Sequence, residues 1–171
     1  EVCRDLAGSF NRQYGETFVL PRAKVLETAA KVPGIDGEKM SKSYDNTIEI
    51  FDTGKGLRAK VMRIVTDSRP MEQPKDPDTD ALFQLYSLFA DQASKEEMAA
   101  RYRRGGFGYG EVKTALAEAA DAYFAQARAR RAELATRPQS VLEVLADGAS
   151  RARRKASEVL RRAQRACGVK G

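Results

Sequence analysis

Lys39-Met40-Ser41-Lys42-Ser43 places two ammonium groups and two hydroxyls within five residues. Pro33-Gly34 and Asp36-Gly37 precede it, and Asp45-Asn46 follow it. Gly, Pro, Asp and Asn favour turns, so residues 32 to 54 read as a mobile loop rather than the interior of a helix or strand. Lysine supplies a point charge, serine a short donor, and a turn backbone adds N–H groups. Phosphate is the anion that this combination suits best.

The chain has 171 residues, enough for one domain or for a lobe of a larger one. There is no His and no CxxC, which excludes a zinc site and a His-based triad, and no metal ligands are expected. Phosphoryl and nucleotidyl transfer need neither, because positioning and charge neutralisation supply most of their catalysis. The formal charge is +6 and unevenly spread: from Arg151 to Gly171 eight Lys or Arg face the single acid Glu158. That balance suits a polyanion such as RNA. The apolar runs are too short to span a bilayer, so no membrane partner is expected. Cys3 and Cys167, isolated at opposite ends, fit a reducing cytosol, and no secretory or transit pattern follows Glu1; a cytoplasmic location is the expectation.

Periodicity predicts a helix over residues 2 to 14, with Val2, Leu6 and Phe10 as its core face and Gly15 as its stop. Thr17 to Leu20 reads as a short strand or extended passage, and Arg22 to Lys31 is ambiguous. A helix capped by Asp52 is expected to run to about Val65, burying Leu57, Val61, Ile64 and Val65. Thr66-Asp67-Ser68 has two readings, a simple helix stop or a ligand contact. Residues 69 to 78 hold three prolines and read as a linker. Asp78 or Thr79 is expected to cap a helix with the stripe Leu82, Leu85, Tyr86 and Phe89. A capping box at Ser94–Glu97 starts another, to about Arg104. Gly105 to Gly110 is a turn between helices, with Phe107 and Tyr109 as buried staples or as RNA contacts. An Ala-rich helix follows to about Arg137, burying Val112, Leu116, Ala119, Ala120, Tyr123, Phe124 and Ala127. Pro138 opens the last, whose stripe runs from Val141 through Leu142 and Leu145 to Ala163. The arginines of these two helices are either a solvated face or an RNA surface.

The five-residue loop centre resembles, letter for letter, the K-M-S-K-S signature of class I aminoacyl-tRNA synthetases. Gly34-Ile-Asp-Gly-Glu38 before it and Tyr44-Asp-Asn-Thr-Ile48 after it resemble the tryptophanyl branch. So do Val61-x-x-Ile64-Val-Thr-Asp-Ser68 and Tyr109-Gly110-x-x-Lys113. That branch usually has Gly where Asp45 stands; Asp tolerates left-handed geometry better than most other residues.

The resemblance implies a mainly α fold: the tail of an α/β Rossmann-like nucleotide-binding domain carrying the loop (residues 1–68), then an α-helical bundle that recognises the tRNA anticodon (69–171). It implies activation of L-tryptophan by ATP, with Mg2+, and transfer to tRNA(Trp) by a homodimer. Lys42, the inner lysine, is the expected catalytic contact to the leaving pyrophosphate. Lys39 binds phosphate or steadies the loop, Ser41 and Ser43 add hydrogen bonds, Met40 anchors the loop, and Val32 borders the adenine. The resemblance spans nearly all of this chain but about the C-terminal half of such an enzyme, so this chain alone is expected to be inactive and to expose apolar surface near its start. Two alternatives remain: a tyrosyl-type class I synthetase, and a non-catalytic basic helical module that binds RNA.

Overall fold

Gly15, at φ 84°, closes the first helix by donating its N–H to the Asn11 carbonyl at 2.9 Å, a left-handed geometry that glycine adopts without steric cost. The same kind of local chemistry sets most boundaries in the computed structural model, which describes residues 1–25 and 31–169. The architecture is mainly helical: α1 (Val2–Tyr14), a 3₁₀ turn (Lys42–Tyr44), α2 (Gly54–Met62), α3 (Ala81–Ser87), α4 (Gln92–Arg104), α5 (Tyr109–Ala135) and α6 (Pro138–Ala166). The ambiguous stretch from Arg22 to Lys31 lies partly outside the described residues. The chain divides into two compact units, Val25–Arg131 and a second made of Glu1–Lys24 with Ala132–Gly171.

The Val25–Arg131 unit holds the apolar core. Leu57, Val61 and Ile64 meet Leu82 and Leu85 of α3, Met98 and Tyr102 of α4, and Val112, Leu116 and Ala120 of α5. The expected stripes are present, but several caps differ. Asp80, not Asp78 or Thr79, caps α3 by accepting from Phe83 N–H at 2.8 Å, and its carboxylate also accepts from the Tyr102 hydroxyl at 3.2 Å. Asp91, not Ser94, caps α4, accepting from Ser94 N–H at 2.8 Å. α2 starts after Thr53 rather than Asp52, whose carboxylate instead pairs with Lys60 at 2.6 Å. α2 also stops at Met62, which leaves Val65 exposed. In α5, Tyr123 lies 61% exposed, packed edge-on against Phe89 and Phe124 rather than buried.

The proline-rich linker packs against the glycine turn that follows α4. Gly106 N–H donates to the Met71 carbonyl at 2.8 Å, and Lys75 N–H donates to that of Tyr102 at 2.7 Å. A Cβ on Gly105 (φ 75°) would lie 2.4 Å from the Glu72 carbonyl oxygen, so the approach requires glycine twice over. Phe107 is buried as a staple, whereas Tyr109 is half-buried. Lys75 is 2% exposed, its ammonium facing the carbonyls of Gln73 (3.2 Å), Pro70 and Met71 (3.4 Å each) and the Phe107 ring (4.5 Å).

In the other unit, Asn11 clamps the passage after α1. It accepts from the N–H groups of Thr17 (3.1 Å) and Phe18 (2.9 Å) and donates to the Phe18 carbonyl (2.8 Å). Phe10 stacks between Tyr14 and Phe18. The expected core face of α1 is exposed at Val2 and Leu6, and the buried residue is Ala7. Along α6 the apolar stripe is real, but Leu142, Leu145 and Leu160 are exposed and only Ala163 is buried. Helical period alone locates a stripe; it does not supply the surface that covers it. Among the described residues no helix is long and apolar enough to cross a membrane.

Candidate nucleotide-binding site

The loop from Val32 to Ile48 is built around one buried side chain. Asn46 is 1% exposed; its Oδ1 accepts from Ser41 N–H at 2.7 Å. Its Nδ2 donates to both carboxylate oxygens of Asp36 (2.8 and 3.0 Å) and to the Lys39 carbonyl (3.2 Å). Its backbone carbonyl accepts from Ile35 N–H at 3.0 Å. Gly34 leaves room for this packing, since a Cβ there would meet Asn46 Nδ2 at 2.4 Å. Two more backbone bonds close the base of the loop, Met40 N–H to Val32 (2.8 Å) and Gly34 N–H to Glu38 (2.6 Å).

That scaffold holds the signature in a defined shape. Ser41 precedes the 3₁₀ turn, and its hydroxyl accepts from Ser43 N–H at 3.3 Å. Asp45 ends the turn in the left-handed region, at φ 50° and ψ 30°, a geometry that Asp tolerates better than most residues other than glycine. Lys39, Lys42 and Ser43 are exposed, and Ser41 is partly buried. Among the described residues neither lysine takes part in an ion pair, which leaves both ammonium groups available to an anion.

Met40 and Val32 face the other way. Both are partly buried against the core and line a cavity of about 300 Å³ walled by Leu57, Val61, Leu85, Phe89 and Leu116. The turn is thus two-sided: cations toward solvent, thioether and isopropyl groups toward the core. Arg128, one of the arginines whose sequence allows either a solvated face or an RNA surface, borders this cavity and is bound to Asp121, through the carboxylate at 2.8 Å and through the backbone carbonyl.

Thr66-Asp67-Ser68 follows α2 and makes a contact across the unit. Asp67 accepts from the Tyr109 hydroxyl at 2.8 Å and pairs with Arg69. Desolvation works to raise the Asp67 pKa, but the hydrogen bonds from Arg69 and Tyr109 prevail and hold it below the ordinary carboxylate value. The Tyr109 hydroxyl is pushed up, first by desolvation and then by Asp67. No group of three or more His, Cys, Asp or Glu suited to a metal occurs among the described residues.

The family model for class I tRNA synthetases of the W and Y type matches residues 1–125, and the chain belongs to that family. Among its relatives, the tryptophan–tRNA ligase of Rhodopirellula baltica is 61% identical over 170 residues, covering 99% of this chain and 53% of that protein. The Campylobacter jejuni tryptophan–tRNA ligase is 44% identical over 162 residues, covering 95% of this chain and 51% of the relative. The crystal structure of the tryptophanyl-tRNA synthetase from C. jejuni, complexed with ADP and tryptophan, superposes with a TM-score of 0.75 at 43% identity, over 96% of this chain and 52% of that one. The chain spans about half the length of the curated relatives it matches.

Proposed function

We propose that this chain is the C-terminal portion of a tryptophan–tRNA ligase, with residues 1–68 belonging to the catalytic half and 69–171 to a helical region that receives tRNA(Trp). The observation that carries this reading is the exposed Lys39–Ser43 turn, latched by Asn46 and, among the described residues, without an ion pair to either lysine. In the reaction, the tryptophan carboxylate attacks the α-phosphorus of ATP and pyrophosphate departs, giving tryptophanyl-adenylate; a hydroxyl at the tRNA 3′ end then attacks its carbonyl and AMP leaves. Charge accumulates on the leaving oxygens, so a lysine aimed there stabilises the transition state more than the ground state. Lys42 is assigned that contact and Lys39 a phosphate contact. Ser41 and Ser43 supply hydrogen bonds, Met40 seats the turn, and Val32 borders the adenine.

ATP suits these residues, since cationic and hydroxyl groups converge on one exposed turn. Mg2+ does not find a carboxylate cluster among the described residues, and its coordination falls to phosphate and water oxygens. Tryptophan contacts are assigned to the N-terminal half found in the relatives, the whole enzyme to a cytoplasmic homodimer, and this chain alone to an inactive state. The exposed Arg151, Arg153, Arg154 and Arg161 of α6 provide phosphate contacts that position RNA without reading its sequence.

A tyrosyl-type enzyme is the second reading that the family allows. It is disfavoured because the relatives at 61% and 44% identity are both tryptophan–tRNA ligases. ATP–pyrophosphate exchange on the full-length product, run with tryptophan and with tyrosine, decides between them. Exchange dependent on tryptophan supports the assignment. Exchange dependent on tyrosine overturns it, and exchange with neither leaves the basic RNA-binding module.

A further inference from the structure

Lys113 sits on the first turns of α5, yet its ammonium group leaves that helix and reaches the end of α2. Nζ donates to the Ile64 carbonyl at 2.7 Å and to the Met62 carbonyl at 3.1 Å. The Met62 carbonyl is one that the end of α2 leaves without an intrahelical partner, and a cation there is favoured by the helix dipole. Among the described residues no ion pair includes Lys113, so its charge is spent on backbone oxygens. The group is half-buried, and desolvation lowers its pKa.

The peptide that Lys113 grips has a second commitment. The Ile64 carbonyl and the Val65 N–H belong to one planar unit, and Val65 N–H donates to the Ile35 carbonyl at 2.8 Å. Ile35 N–H in turn donates to the Asn46 backbone carbonyl at 3.0 Å. Asn46 then holds Ser41 N–H and the Lys39 carbonyl through its side chain. These bonds, linked through the covalent frames of Ile35 and Asn46, connect α5 to the backbone of the signature turn.

Resting on the functional reading above, we propose that Lys113 is a positioning residue for the signature turn: it fixes the 64–65 peptide, which fixes Ile35 and hence the Asn46 latch under Lys39 and Lys42. Lys113 touches no reacting atom in this account. It sets where the turn stands, and it ties that placement to the helix that begins the basic C-terminal region.

The test pairs Lys113→Met, which keeps the side-chain length without the charge, with Lys113→Arg, which restores a donor. Two readouts are combined. The first is amide hydrogen exchange at Val65 and Ser41 in the full-length protein. The second is tryptophan-dependent ATP–pyrophosphate exchange in the full-length enzyme. Lys113→Met is expected to speed exchange at Val65 and Ser41 while amides of the α3–α4 core are unchanged. It should also lower kcat roughly 10- to 100-fold, with KM for tryptophan within about twofold, as small misplacements of a catalytic group do. Lys113→Arg is expected to recover most of both. Unchanged exchange at Val65 and Ser41 overturns the proposal. So does exchange accelerated uniformly across the chain, which marks a merely structural lysine. A wild-type enzyme inactive with tryptophan refutes the functional reading instead, and the amide readout still decides the role of Lys113.

Discussion

Asn46 accepts a hydrogen bond from the backbone of Ser41 at 2.7 Å, and through this contact a buried amide sets the shape of an exposed cationic turn. The amide is matched on both ends, acceptor to Ser41 and donor to Asp36. Asn46→Ala therefore leaves the Ser41 backbone donor and the Lys39 carbonyl without their partner, at a cost of about 1–3 kcal/mol. Asn46→Asp is expected to be worse, because it sets a second carboxylate against Asp36. Urea denaturation of the two variants measures the order; equal stability of Asn46→Asp and wild type would contradict the latch.

Gly34 makes the companion case. A methyl group there falls 2.4 Å from Asn46 Nδ2 and 2.8 Å from its carbonyl oxygen. Gly34→Ala is expected to cost about 1–3 kcal/mol and to displace the latch. Amide chemical shifts of Ser41 and Met40 should move while those of α4 stay fixed.

Lys75 is buried and, among the described residues, pairs with no carboxylate; it is held by four backbone carbonyls and the Phe107 ring. Lys75→Met keeps the stem and deletes the donors, leaving those oxygens short of partners. A loss of about 2–3 kcal/mol is expected, read as a lowered urea midpoint. A variant as stable as wild type would show that the linker needs no cation.

The Asp67–Tyr109–Arg69 contact carries a pH dependence. The folded carboxyl titrates below its unfolded value, so its stabilising contribution is complete above the unfolded pKa of about 3.9 and is lost as pH falls through the folded one. The stability gap between wild type and Asp67→Asn is thus expected to narrow as pH falls from about 6 to about 3. Parallel stability–pH curves would remove Asp67 from the acid response.

Much of this was legible in residues 32–48, because turn formers and a five-residue signature carry their own chemistry. The helices of the core were legible too, since Leu82, Leu85 and Leu116 fall at helical spacing and are buried. Caps were misplaced where two acids compete: Asp78 and Asp80 stand two residues apart, and only backbone geometry chooses Asp80. Asn46, Lys75 and Lys113 carried no periodic signal. Most of their partners are backbone groups, of neighbouring loop residues for Asn46 and Lys75 and of the end of α2 for Lys113, which no side-chain pattern reveals. The stripes of α1 and α6 show the converse, a clear pattern whose residues Leu6 and Leu145 remain exposed.

The central claim is that the Lys42 ammonium stabilises charge on the departing pyrophosphate. Tryptophan-dependent ATP–pyrophosphate exchange by full-length Lys42→Ala tests it most directly. The account predicts a fall of about 10²–10³ in rate, with tryptophan binding preserved; an exchange rate equal to wild type would contradict it.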